Sequence, residues 1–282
     1  MNCKVLIECE QLQGLIAQRT VALLDCRSDL LDRSFAAREY AAGHLPGAQL
    51  LDLEADLSDM SRVAMEGRHP LPDPEKFRAS LQRLGVRWDT PVIAYDQGPG
   101  MYAARAWWLL RAVGHPDVRV LNGGWAVWRA GGGASSTETP SVQPSQLPEL
   151  SIAAMPRCSF SDLQSPLAQQ RILVDARAAA RFAGLEEPID PVAGHIPGAR
   201  NRPFTENLQA GKFKPPAQLR AEWQDFLAGL AAQHVTHYCG SGVTACHNLL
   251  AMEHAGLSGS KLFPPSWSGW IRDPSRPIAT GN

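Results

Sequence analysis

The chain repeats itself, and that repeat limits the possible folds more than any other feature of its 282 residues. LLDCRSD at Leu23 returns as LVDARAA at Leu173. AAREYAAGHLPGA, ending at Ala48, returns in the looser ARFAGLEEPIDPVAGHIPGA, ending at Ala199. VIAYDQGPGMYAARAWWLLRAVG, from Val92 to Gly114, matches VTHYCGSGVTACHNLLAMEHAG, from Val235 to Gly256, and GGWAVW, ending at Trp128, matches PSWSGW, ending at Trp270. Matched blocks in one order at a nearly constant offset imply two domains of one design. Between the copies, GGGASSTETPSVQPSQLPELS has the Gly, Ser, Thr and Pro content of a linker and no periodicity. The expected division is a first domain over 1–130, a linker over 131–151 and a second domain over 152–282.

Each copy alternates short apolar runs with amphipathic stretches. VALLD, PVIAYD and VRVLN, then RILVDA, HVTHYC and SKLF, read as buried strands. DPEKFRASLQRLGV, AARAWWLLRAVG, PAQLRAEWQDFLAGL and TACHNLLAMEHAG read as helices. That alternation predicts an α/β fold, a parallel sheet in each copy with helices on both faces. Reactive loops in such folds lie past the carboxyl ends of strands. Trp107 and Trp108 are adjacent, so they cannot share one helix face.

A formal charge of -1 argues against an electrostatically driven nucleic-acid binder. No apolar run approaches a membrane span. Glu8 and Glu10 interrupt what would have to be an apolar signal segment, so a cytoplasmic location is expected. The cysteines at 3, 9, 26, 158, 239 and 246 form no C-x-x-C pair and no zinc-like spacing, and read as reduced thiols.

YCGSGVTAC, from Tyr238 to Cys246, falls where a reactive loop belongs. Aligning the copies sets Cys239 against Asp96, which suggests a solvent-facing loop position rather than core. Gly240, Ser241, Gly242, Val243 and Thr244 can curl so that backbone N–H groups point inward, with the positive end of the next helix behind them. Both effects favour the thiolate, the reactive form of a cysteine. The arginine slot of the phosphatase pattern C-x5-R holds Ala245, and the loop has no basic residue, so phosphoryl transfer is disfavoured. Cys246, on the following helix, reads as a buried thiol.

With LLDCR and LVDAR, GHLPGA and GHIPGA, GGWAVW and SWSGW, and the loop CGSGVT, the chain resembles the two-domain rhodanese family of sulfurtransferases over essentially its whole length. CGSGVT is similar to the loop of the 3-mercaptopyruvate branch, whereas thiosulfate enzymes typically carry CRKGVT. The resemblance implies sulfur transfer through a Cys239 persulfide, with pyruvate released, a catalytic second domain and an inactive first copy. It implies a small-molecule sulfur donor, a thiol, thioredoxin or cyanide acceptor, and no cofactor, metal, nucleic acid or membrane.

By the same resemblance Arg177 and Arg181 bind the donor carboxylate, although Arg27 at the matching place in the first copy leaves a structural pair open for Arg177. Ser241, His44 and Asp32 match a proposed proton relay, with His195 in the same motif of the second copy as the counter-argument for His44. RHPLPDPEKF also matches the family and brings Arg68 or His69 near the cleft, without choosing between them. The alternatives are a thiosulfate sulfurtransferase and a sulfur-relay or redox-sensing protein without fast turnover.

Overall fold

The computed structural model describes residues 4–18, 20–164 and 171–281, so Cys3 lies outside the described residues. The chain divides into two compact units, and the division does not follow chain order. The first holds residues up to Ser58, Pro72–Ala154 and Ala210–Phe213; the second holds Asp59–Leu71, Met155–Gln209 and the chain from Lys214 onward. Among the described residues no helix is long and apolar enough to cross a membrane.

The first unit is built on β1 (Leu6–Ile7), β2 (Ala22–Asp25), β3 (Gln49–Leu50), β4 (Val92–Tyr95) and β5 (Val118–Leu121). They form a parallel sheet in the order β1-β5-β4-β2-β3. In the second unit β6 (Ile172–Asp175), β7 (Arg200–Asn201), β8 (Val235–Tyr238) and β9 (Lys261–Leu262) form a parallel sheet in the order β9-β8-β6-β7. The α/β expectation is met in both copies. VIAY and VTHY are buried at every position because helices cover both faces, which is why they read as unbroken apolar runs rather than as alternations.

Local chemistry sets the helix ends. At the helix Pro74–Arg83, Asp73 accepts the N–H groups of Glu75 and Lys76 and Pro74 supplies the preset φ of a first turn. The helix Met101–Ala112 is enclosed on nearly every side, so adjacent Trp107 and Trp108 are both buried. The stretch read as a linker lies along the first unit. Leu147 and Leu150 are buried, and Ser145 N–H donates to Gln82 O at 3.0 Å.

Both copies carry one framework at the carboxyl end of the sheet. Register sets Asp25 beside Tyr95 and Asp175 beside Tyr238. Arg27 forks onto Asp25, donates to Gly43 O at 2.7 Å and lies over Trp125; Arg177 forks onto Asp175, donates to Gly194 O at 2.6 Å and lies over Trp267. His44 stacks on Tyr40 and bridges backbone to Ser136, as His195 stacks on Phe182 and bridges to Ala279. These matched residues are fold machinery: ion pairs buried with their hydrogen bonds satisfied, and rings packed flat on aromatic neighbours.

Candidate active site

The two copies part where β4 and β8 end. In the first unit Asp96 is fully buried, which corrects the solvent-facing reading. Its carboxylate accepts the N–H groups of Gly98, Gly100, Tyr102 and Ala103 at 3.0, 2.9, 2.9 and 3.3 Å. Burial pushes the Asp96 carboxyl up against the pull of those four donors. The loop is an anion cradle filled by its own side chain.

In the second unit the same cradle holds a thiol. Cys239 is 2% exposed, and Gly242 N–H donates to its Sγ at 3.2 Å. Gly242 has φ +79°, a conformation that favours glycine at this turn. Val243 is buried, and Thr244 opens the helix Thr244–His254. Cys246 is fully buried as expected, and its thiol donates to Gly242 O at 3.3 Å, tying the loop to the first turn of the helix. The segment Ser266–Trp270 pins the loop from behind: Trp267 N–H donates to Cys239 O and Ser268 N–H to Gly240 O. Cys239 N–H donates to Ser266 Oγ at 3.1 Å.

Ser266 was missed by sequence reasoning. Its φ is +53°, where the matching residue of the first copy is Gly124 at +56°. A serine held in that region is strained, and here its hydroxyl is spent on the nucleophile's own backbone. The signal was present as the substitution of serine for glycine between GGW and PSW.

Residues 67–69 reach this loop as part of the second unit. Gly67, at φ +91°, lies so close to Ser268 and Gly269 that a Cβ would meet Ser268 Oγ at 2.6 Å and Gly269 N at 2.8 Å. Arg68 N–H donates to Ser268 Oγ at 3.0 Å. The segment so anchored sets His69 Nδ1 2.7 Å from Ser241 Oγ, with both residues buried. The histidine brought to Ser241 is therefore His69 and not His44. Both ring nitrogens of His44 lie on carbonyls within the first unit, Tyr40 O at 2.9 Å and Glu138 O at 3.1 Å. Asp32 is also elsewhere: it is half-buried at the surface of the first unit, where Ser34 and Arg38 hold its carboxyl down to about 2.

Two arginines face the loop. A Cβ on Gly240 would lie 2.8 Å from Arg68 Nη2 and 3.7 and 3.8 Å from Arg181 Nη2 and Nη1. Asp190 bridges them, accepting from Arg68 Nη1 and from Arg181 Nη2, the latter at 3.2 Å. Arg181 is also forked onto Glu187 at 2.5 and 3.2 Å. Burial pushes the Glu187 carboxyl up, but the Arg181 fork, the Asp190 and Ile189 N–H groups and the arginine's charge outweigh it and hold the group below the usual range. The side chain of Arg177 is 1% exposed, with Nε and Nη2 on Asp175, Nη2 also on Gly194 O, and Nη1 on Glu187. Its Arg27-like framework role accounts for its burial, and the arginine opposite Gly240 that sequence did not choose is Arg68.

A buried thiol under a backbone N–H, a serine–histidine pair and two guanidinium groups thus meet within one unit. This set can hold a sulfur anion, move a proton and seat a small anion.

Comparison with known proteins agrees. The Rhodanese-like domain model matches residues 8–131 and 159–273. A probable 3-mercaptopyruvate sulfurtransferase of Pseudomonas aeruginosa is 46% identical over 100% of both chains. A putative thiosulfate sulfurtransferase, SseB of Mycobacterium tuberculosis, is 41% identical over 99% of this chain and 98% of its own. The crystal structure of SseA from Escherichia coli, described with the rhodanese fold and mechanism of 3-mercaptopyruvate sulfotransferases, superposes with a TM-score of 0.81 at 32% identity, covering 94% of this chain and 99% of that one. With its two domain copies and full-length relatives, the chain belongs to the rhodanese family.

Proposed function

We propose that the chain transfers sulfur from 3-mercaptopyruvate to a thiol, thioredoxin or cyanide acceptor through a Cys239 persulfide. The observation that carries this reading is the meeting of Cys239, the Ser241–His69 pair and the Arg68–Arg181 pair around one loop. The Cys239 thiolate attacks the donor sulfur. The new S–S bond forms as the donor's C–S bond breaks, and the electron pair leaves on carbon as the enolate of pyruvate. The donor's thiol proton passes through Ser241 and His69 to that carbon, giving pyruvate and a Cys239 persulfide anion. An acceptor thiol then takes the outer sulfur and returns Cys239 to its thiolate. The carboxylate of the donor sits on Arg181 and Arg68, while Gly242 N–H faces the sulfur anion in both states.

The first copy takes no part in bond making on this reading, because Asp96 fills the cradle that Cys239 uses. The cytoplasm is the proposed compartment, since thiols such as Cys239 stay reduced there. A thiosulfate preference is the second reading, favoured by the name of the Mycobacterium relative and by two guanidinium groups at one loop.

Steady-state transfer to cyanide, with 3-mercaptopyruvate and thiosulfate as donors, tests the assignment beside Cys239→Ser. A preference for mercaptopyruvate of about ten-fold or more in kcat/KM, ~1.4 kcal/mol of transition-state binding, is expected and should vanish in the variant. Mass spectrometry after donor alone should find one added sulfur on Cys239. A thiosulfate preference would keep the persulfide and sink the donor assignment.

A further inference from the structure

The loop after Cys239 contains no basic residue, so any charge that recognises an anionic donor comes from outside it. That charge is Arg68 and Arg181, and neither stands alone. Asp190 touches both, one oxygen on each, and its side chain is 2% exposed, so water screens its charge little. Glu187 takes the Nε and Nη2 of Arg181 as well as Nη1 of Arg177, whose remaining charge is matched by Asp175. The group of four at the loop therefore holds two guanidinium groups against two carboxylates. It offers N–H donors in fork geometry with little net positive potential. A monocarboxylate needs only such a fork. A small dianion needs an excess of positive charge, and here the excess is cancelled before it arrives.

We propose that Asp190 is a donor-selectivity residue: by holding Arg68 and Arg181 against Gly240 and cancelling part of their charge, it favours monocarboxylate sulfur donors over dianionic ones. The role is separate from bond making, since Asp190 touches the arginines and not the cysteine. It rests on the sulfur-transfer reading above, and the experiment has one arm that needs no turnover.

The first arm measures kcat/KM on the full chain for 3-mercaptopyruvate and for thiosulfate, in Asp190→Asn and in the charge-keeping Asp190→Glu. The mercaptopyruvate-to-thiosulfate ratio should fall at least ten-fold in D190N, ~1.4 kcal/mol, through a lower KM and higher kcat/KM for thiosulfate. D190E should keep the ratio within about three-fold. Equal losses with both donors in D190N would show a structural role only and overturn the proposal. Should D190N fail to fold, Arg68→Met carries the test in the opposite direction. With Asp190 then in excess, thiosulfate should lose at least ten-fold more than mercaptopyruvate, and equal losses would overturn the proposal.

The second arm measures how sulfate and pyruvate each protect Cys239 from alkylation by iodoacetamide. D190N should shift the ratio of protecting concentrations ten-fold toward sulfate, even if neither donor is processed. An unchanged ratio overturns the role of Asp190 whatever the enzyme does. Absence of turnover and of persulfide with a shifted ratio would overturn sulfur transfer and leave the charge filter standing.

Discussion

Ser266 and Gly124 hold the same left-handed turn with φ of 53° and 56°, and only the serine has a hydroxyl to place. The left-handed conformation costs a non-glycine residue about 1–2 kcal/mol. That cost is offset by two hydrogen bonds, from Cys239 N–H to Ser266 Oγ and from Ser266 Oγ to Phe263 O at 3.0 Å. Ser266→Gly should therefore relieve strain and lose those bonds together, leaving unfolding free energy within ~1 kcal/mol of the parent. Its effect should fall on catalysis, because the backbone that carries the thiol is no longer fixed. A drop in kcat of about ten-fold with donor KM little changed is expected from such a loss of positioning. Steady-state kinetics beside urea denaturation checks it, and an unchanged kcat would show that Trp267 N–H on Cys239 O suffices. At this scale Cys239 was legible because only one copy has it. For Arg177 the motif left a carboxylate ligand and a structural pair both open, and the burial of its fork on Asp175, which favours the pair, is invisible in a one-dimensional string.

The strand that delivers Cys239, β8, is itself unusual in carrying His237 in the sheet interior, between β6 and β9. Its Nε2 lies 3.1 Å from Met252 Sδ, its ring meets Trp223 edge-on, and Nδ1 finds no hydrogen-bond partner among the described residues. Burial, helped by the Arg202 charge, lowers the imidazole to about 3. A depressed folded value means that the unfolded chain takes up a proton near pH 6.5 that the folded chain refuses until about 3. The neutral ring's contribution is thus fully present above pH ~6.5 and is lost as pH falls, at about 1.4 kcal/mol per pH unit for one proton. His237→Leu should remove that share of the slope, so the gap in unfolding free energy between pH 6 and pH 5 should shrink by ~1 kcal/mol. Urea denaturation at both pH values decides it; parallel slopes in parent and variant would mean that the ring is protonated or solvated in the fold. The strands and helices themselves were legible, since VIAY and VTHY are apolar on both faces and Asp73-Pro74 is a strong helix start. What the pattern could not show was which polar residue inside an apolar run, His237 or Asp96, would be buried.

At the scale of the molecule, the internal repeat predicts two α/β units and the structure contains two, but chain order is a poor guide to membership. Residues 59–71 lie inside the first sequence copy and belong structurally to the second unit. The reason is steric and polar: Gly67 fits against Ser268 and Gly269 where no Cβ could, Ser268 and Asp190 accept bonds from Arg68, and His69 shares a hydrogen bond with Ser241. None of these contacts has a sequence period, which is why the choice between Arg68 and His69 could not be made from the motif. The assignment has a consequence for local unfolding, where cooperative units open together. Arg177→Ala leaves Asp175 buried and unpaired, a loss of about 3–5 kcal/mol confined to the second unit. In native-state hydrogen exchange of that variant, amides of 59–71 should lose protection in step with those of 235–256. Amides of 92–121 should keep the protection of the parent. If residues 59–71 instead keep pace with 92–121, the segment is held by the first unit, and the dependence of the cysteine loop on Arg68 and His69 fails with it.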